Sequence, residues 1–207
     1  MIISKPPFLL KALTAPFINW KGPISDKKIY LTFDDGPIPE ITPWVHQVLK
    51  EFNAKATFFC VGDNVEKHSA IFEKTIAFGH KVGNHTFHHL KGWSTPKDQY
   101  LNDVAKANLI IQSKLFRPPH GQITPGLIKQ LRKDYAIVLW STLAYDFDQS
   151  ISPQQCLSIV TKRTSPGDII VFHDSIKAAP RMQYALPIFL KILTEEGFTF
   201  CTLPDIF

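Results

Sequence analysis

The run Thr32-Phe33-Asp34-Asp35-Gly36-Pro37 sets two carboxylates side by side at the end of an apolar stretch. Ile29-Tyr30-Leu31-Thr32-Phe33 is β-branched and aromatic, as a buried strand is, and Gly36-Pro37 stops it. Neighbouring side chains at a strand end point in different directions, so Asp34 and Asp35 cannot share one task. One can hold a cation while the other takes a proton, and the motif does not say which. Asp and Gly are also ordinary turn residues, which leaves a solvated turn open as well.

His85-Thr86-Phe87-His88-His89 adds three imidazoles within five residues. The i, i+4 spacing of His85 and His89 puts them on one face of a helical turn, with His88 about a quarter turn away. A lone histidine is usually a core or surface residue; three beside an Asp-Asp pair point to a metal. Thr86 stands where the His-Glu-x-x-His signature has its glutamate, which excludes that type of hydrolytic site. Two more motifs complete the set. Phe116-Arg117-Pro118-Pro119-His120-Gly121 places a guanidinium before a rigid turn, and Ile169-Ile170-Val171-Phe172-His173-Asp174 is an apolar strand ending in a histidine.

In this order the motifs closely resemble those of the polysaccharide deacetylases, the NodB-homology or carbohydrate esterase family four enzymes. Thr-Phe-Asp-Asp-Gly-Pro, His-Thr-x-x-His, Arg-x-Pro-x-Gly and hydrophobic-x-His all match, and Asp146-Phe147 stands for the family's Asp-Trp. The resemblance runs from about residue 28 to the C-terminus. It implies that Asp34 is the general base and that Asp35, His85 and His89 hold a divalent metal, zinc before Co2+, Ni2+ or Mn2+. It also implies that Arg117 orients Asp34, and that His173, paired with Asp146, is the general acid. The His120 backbone N–H would help bind the oxyanion. Phe147 keeps an apolar wall for the acetyl methyl but loses an indole donor, and Val171, where leucine is common, would widen the methyl pocket. Asp148 rivals Asp146 as the partner of His173, and the His88 and His120 side chains are further candidates for sugar contacts.

The implied reaction removes N-acetyl, or alternatively O-acetyl, groups from a GlcNAc-containing polysaccharide or oligosaccharide such as peptidoglycan or chitin. Two other readings stay open: hydrolysis of a small non-peptide amide on the same barrel, and a non-catalytic glycan-binding protein.

The elements that must position these residues alternate along the chain. Strand-like runs lie at 28–33, 56–61, 80–83, 114–117, 135–140, 168–173 and 198–203, separated by helical runs. Thr42-Pro43, Thr95-Pro96, Thr124-Pro125 and Ser152-Pro153 each read as a cap followed by a first-turn proline. Ser152 with Gln155 has capping-box spacing. Gly79 and Gly197 read as helix terminators, Gly126 lies in a first turn, and Pro187 marks a kink or a late start. The alternation implies a mainly parallel sheet covered by helices, either open and doubly wound or closed. No Gly-x-Gly-x-x-Gly follows the first strand, which weakens a dinucleotide-binding version. The family resemblance implies a distorted (β/α)7 barrel in one domain over residues 28–207. Every chemical motif falls at the C-terminal end of a strand, where parallel barrels keep their active sites.

At 207 residues, with 44% hydrophobic and 20% charged residues, the chain fits one well-cored domain and neither disorder nor repeats. The net charge of +5 raises nucleic acid as a partner, but the basic residues are dispersed and no binding motif is present. Cys60, Cys156 and Cys201 are odd in number and form no Cys-x-x-Cys, so free thiols in a reducing compartment are expected. Residues 1–27 read as a segment packing on an edge or end of the barrel. Lys11 and Pro16 break the apolar stretch around Phe8-Leu9-Leu10. The expectation is therefore no secretory signal, no membrane span and a cytoplasmic location.

Overall fold

The computed structural model describes residues 7, 12–24, 27–162 and 164–205. The reading of Phe8-Leu9-Leu10 falls outside these residues. Eight strands are present among them: β1 (Lys28–Asp34), β2 (Thr57–Cys60), β3 (Lys81–Asn84), β4 (Leu115–Phe116), β5 (Ala136–Ile137), β6 (Thr142–Leu143), β7 (Ile169–His173) and β8 (Thr199–Cys201). The principal helices are α1 (Thr42–Glu51), α2 (Gly62–Lys67), α3 (Ser69–Ala77), α4 (Lys97–Ile111), α5 (Pro125–Leu131), α6 (Pro153–Thr161) and α7 (Ala179–Glu195). Seven strands run in the order β5-β4-β3-β2-β1-β7-β6 with every pairing parallel, and β8 joins the first residues of β1. This is a curled sheet with helices, a distorted (β/α)7 barrel.

Strand alternation sorts the chemistry from the core. Ile29, Leu31 and Phe33 of β1, with Ile170 and Phe172 of β7, face the helices and join Val45, Leu49, Met182 and Phe189 in the main core. Phe33 stacks on Phe58 at 5.0 Å and Phe172 at 6.2 Å, and burying each such ring stabilises by about 1.5–3 kcal/mol. The alternate residues Tyr30 and Ile169 pack inside the barrel with Phe59, Leu115, Val138 and Leu203. Asp34 and His173 continue that inward face, and they are direct register partners.

The stretch expected as one strand over 135–140 ends at Ile137, and a separate β6 follows. The cause is the N-terminal segment. Asn19 bridges Val138, Lys21 bridges Asp168, and the Leu139 N–H donates to the Asn19 carbonyl. Residues 19–21 thus run from the residue after the edge strand β5 to the residue before β7, with Ile18 and Trp20 buried against Val104, Leu127 and Leu139.

Two of the four expected caps form: Thr124 accepts from the Leu127 N–H, and Ser152 with Gln155 makes a full capping box. Thr42 and Thr95 do not cap. Thr42 is already helical, and its hydroxyl donates to Asp174 instead; Pro96, not Thr95, precedes α4. Helix α7 starts at Ala179 and runs through Pro187, so that proline does not mark a late start. The three cysteines are free, Cys60 and Cys156 buried and Cys201 half-buried. Among the described residues no helix is long and apolar enough to cross a membrane.

Candidate active site

Asp34 is the last residue of β1, and the chain turns at Asp35, whose φ of 88° is in the left-handed region. That turn separates the two carboxylates. Such a conformation costs on the order of 1–3 kcal/mol in a non-glycine residue and persists only when its surroundings hold it. Here Asn64 Nδ2 donates to the Asp35 carbonyl (2.7 Å), the Val61 N–H to the Gly36 carbonyl (3.0 Å), and the Gly36 N–H to Asp174 Oδ1 (3.0 Å).

His85 and His89 converge through a loop and not through the helical turn their spacing suggests. Thr86 and His89 have φ values of 64° and 55°, which no right-handed helix contains. Side chains satisfy the amides that a helix would satisfy internally. Asn84 Oδ1 accepts from the Thr86 N–H, and Asp103 Oδ2 accepts from the N–H groups of Phe87 and His88. Asp103 Oδ1 pairs with His88 Nδ1 at 2.5 Å, which ties His88 to the outside of the loop.

The loop brings His89 Nε2 to 3.3 Å and His85 Nε2 to 4.0 Å from Asp35 Oδ1. Ligand atoms of all three residues lie within 4.8 Å of one another. His85 Nδ1 donates to the Arg117 carbonyl at 2.7 Å, so its Nε2 lone pair faces the cluster. Burial pushes His85 down to about 4, which keeps the ring neutral, as a ligand must be. Burial alone would raise Asp35, but the hydrogen bond from His89 and the charges of His173, His85 and His89 hold it well below the usual carboxylate range. One carboxylate oxygen and two imidazole nitrogens suit zinc and related divalent ions, and leave coordination positions open.

Two ion pairs flank these ligands. Arg117 is fully buried. Its Nη1 donates to Asp34 Oδ1 (2.7 Å) and Thr32 Oγ1 (2.8 Å), and its Nε and Nη2 donate to the carbonyls of Val138 and Leu139. The guanidinium also lies 4.1 Å over the Phe59 ring. His173 Nδ1 meets Asp146 Oδ1 at 2.7 Å, and the His173 N–H donates to Asp146 Oδ2 at 2.7 Å. Burial would lower His173, but the charge and hydrogen bond of Asp146 outweigh it and raise the imidazole to about 10. Asp146 is thereby the partner of His173; Asp148 is half-buried, and its carboxylate accepts from the backbone N–H and hydroxyl of Ser150.

Asp34, Asp35, His85, His89, His120 and His173 line one cavity of about 510 Å3. Phe147 forms an apolar wall there, stacked on Tyr145 at 5.6 Å and edge-on to His173 at 5.0 Å. His120 sits in a 3-10 turn with its ring 4.6 Å from that of His89. Its N–H takes no part in the turn's own bonds, which run from Gly121 to Pro118 and from Gln122 to Pro119. Val171 is fully buried below His173 and does not line the cavity; its register partner Leu143 does. Leu143 and Trp140 were not legible as site residues: a two-residue β6 carries no periodic signal, and Trp140 lies in the link before it. A wider hollow of about 710 Å3 near Phe17, Arg132 and Tyr135 holds none of the motif residues.

A family model described as polysaccharide deacetylase matches residues 21–136, more than half of the chain. The chain belongs to the polysaccharide deacetylase family. It is 30% identical over 197 residues to a peptidoglycan-N-acetylglucosamine deacetylase of Bacillus cereus, covering 92% of each chain. It is 28% identical over 195 residues to the peptidoglycan-N-acetylmuramic acid deacetylase PdaA of Bacillus subtilis, covering 89% of this chain and 73% of that one. The crystal structure of the Bc1960 peptidoglycan N-acetylglucosamine deacetylase superposes with a TM-score of 0.88 at 31% identity, covering 98% and 97% of the two chains. The family model stops before Asp146 and His173, but the relatives' alignments span almost the whole chain. A polysaccharide deacetylase is therefore the enzyme class of this chain.

Proposed function

We propose that this deacetylase hydrolyses the acetamide of N-acetylated sugars in a peptidoglycan-like glycan, with a divalent metal held by Asp35, His85 and His89. The observation that carries the reading is the meeting of two oppositely built ion pairs with this ligand set in one cavity. The names of the relatives support the acetylated sugar; chitin oligomers share the same acetamide. Zinc fits the donor set best, and when bound it supplies Lewis-acid polarisation of a carbonyl and makes water a stronger acid.

The residues carry the proton traffic. Asp34 takes a proton from the attacking water, while Arg117 holds its Oδ1 and offsets its charge. The water oxygen bonds to the acetyl carbon, and the C–N bond breaks as His173 gives its proton to the nitrogen. Acetate and a free amino sugar leave. Asp146 fixes His173 through Nδ1, so the proton given up is the one on Nε2. The His120 N–H, which the turn's own bonds do not use, is assigned to the developing oxyanion, and Phe147 and Leu143 offer apolar surface to the acetyl methyl.

The test is acetate release from N-acetylglucosamine oligomers and from peptidoglycan, comparing chelator-treated protein with the same protein after zinc is restored. Zinc-restored release supports the reading. No release from either glycan by zinc-loaded protein overturns the substrate assignment and favours a small amide.

A further inference from the structure

Asp174 follows the His173 motif, and the proposed chemistry makes no use of it. Yet it is buried and both carboxyl oxygens are engaged on the turn that carries Asp35. Oδ1 accepts from the Gly36 N–H at 3.0 Å, and Oδ2 accepts from the Thr42 hydroxyl at 2.6 Å. Thr42 Oγ1 in turn accepts from the Ile38 N–H at 2.8 Å. The Asp174 backbone N–H donates to the Asp34 carbonyl at 3.1 Å. One residue, at the end of β7, is thus bonded on both sides of Asp35 and to the first residue of α1.

The packing is tight enough to dictate a neighbouring residue. A Cβ on Gly36 would stand 1.9 Å from Asp174 Oδ2, so the glycine after the two aspartates is required by the close approach of this carboxyl. The left-handed Asp35 has no glycine freedom of its own and depends on such outside bonds. Gly36 and Asp174 therefore form one device split between two motifs 138 residues apart.

We propose that Asp174, with Thr42 as its second anchor, is a positioning residue that holds the backbone of Asp35 in the geometry required for metal binding. The inference rests on the ligand set of the proposed function. Asp174 touches neither metal nor substrate; it acts through the turn.

The experiment is calorimetric titration of zinc into metal-free wild type, Asp174→Ala, Asp174→Asn and Thr42→Val, well below each protein's melting temperature, together with the melting temperatures themselves. Removing groups that orient metal ligands typically weakens binding by ~10–100-fold. The account predicts a loss in that range for Asp174→Ala, and a smaller one for Asp174→Asn, which keeps an acceptor for the Gly36 N–H. Thr42→Val removes the anchor, and with it the acceptor of the Ile38 N–H, but leaves Asp174 itself in place; at equal folding it should weaken zinc several-fold, so the inference stays testable if Asp174→Ala does not fold. Cobalt absorption spectra should change in band position as well as amplitude in the same variants. If the variants melt lower but bind zinc as tightly as wild type with unchanged cobalt spectra, Asp174 is merely structural and the inference is overturned. A wild-type chain that binds no zinc overturns the proposed metal site, and this inference with it.

Discussion

The two ion pairs in the cavity are built from the same kinds of group in opposite order. In one, the carboxylate of Asp34 faces the cavity and a fully buried cation, Arg117, stands behind it. In the other, the imidazole of His173 faces the cavity and a fully buried carboxylate, Asp146, stands behind it. The residue behind each group fixes how it is presented to the cavity. The guanidinium holds Asp34 Oδ1 in place; the carboxylate of Asp146 favours a charged, proton-donating His173. Because β1 and β7 are register partners at these two residues, the sheet itself sets the proposed base and acid side by side.

The comparison breaks most severely at Arg117. Replacing it with methionine leaves the carbonyls of Val138 and Leu139 without their donor and Asp34 without its counter-charge. Removing one partner of a buried pair costs about 3–5 kcal/mol, so urea denaturation should show a large drop in midpoint, with β5 and the N-terminal bridge first to lose hydrogen-exchange protection. Asp34→Asn attacks the same pair from the cavity side and should lower stability less than loss of Arg117, because the amide Oδ1 still accepts from Arg117 Nη1. We expect kcat for acetate release to fall by ~10²–10⁴-fold, with zinc binding close to wild type. Undiminished kcat in that variant would refute the assignment of Asp34 as base. Asp148→Asn is the smallest change: its Oδ1 accepts from Ser150, which an amide oxygen can still do, and stability should stay within about 0.5 kcal/mol of wild type with kcat unaltered.

Much of this arrangement was legible before any coordinates. The alternation of apolar and helical runs gives a mainly parallel sheet, the family resemblance makes it a barrel, and the motifs at strand ends bring Asp34, Asp35 and His173 to one cavity with Arg117 behind. Less of it followed where distant side chains overrule local pattern. The i, i+4 histidines suggest a helix, but Asp103, fourteen residues beyond His89, holds the loop amides and bends it otherwise. Thr42 reads as a cap, but Asp174 claims its hydroxyl. Val171 and Leu143 exchange places as wall residues because strand register, set by a two-residue β6, decides which apolar side chain reaches the cavity. Asp146 and Asp148 are equivalent as types, and only the fold puts one of them under His173.

The His173–Asp146 pair also fixes a response to pH. His173 has a folded value raised from 6.5 to about 10. Its stabilising contribution is therefore complete below about pH 6.5 and is lost as pH rises towards 10. As the proposed acid it must be protonated, so activity should fall on the alkaline side as that proton is lost. The most direct measurement is the pH profile of kcat/KM for acetate release by zinc-loaded wild type and Asp146→Asn. The account predicts that the variant's alkaline limb moves to lower pH while its acidic limb stays in place. An unmoved alkaline limb, or a shift confined to the acidic side, would contradict the claim that the buried partner behind each group sets its role.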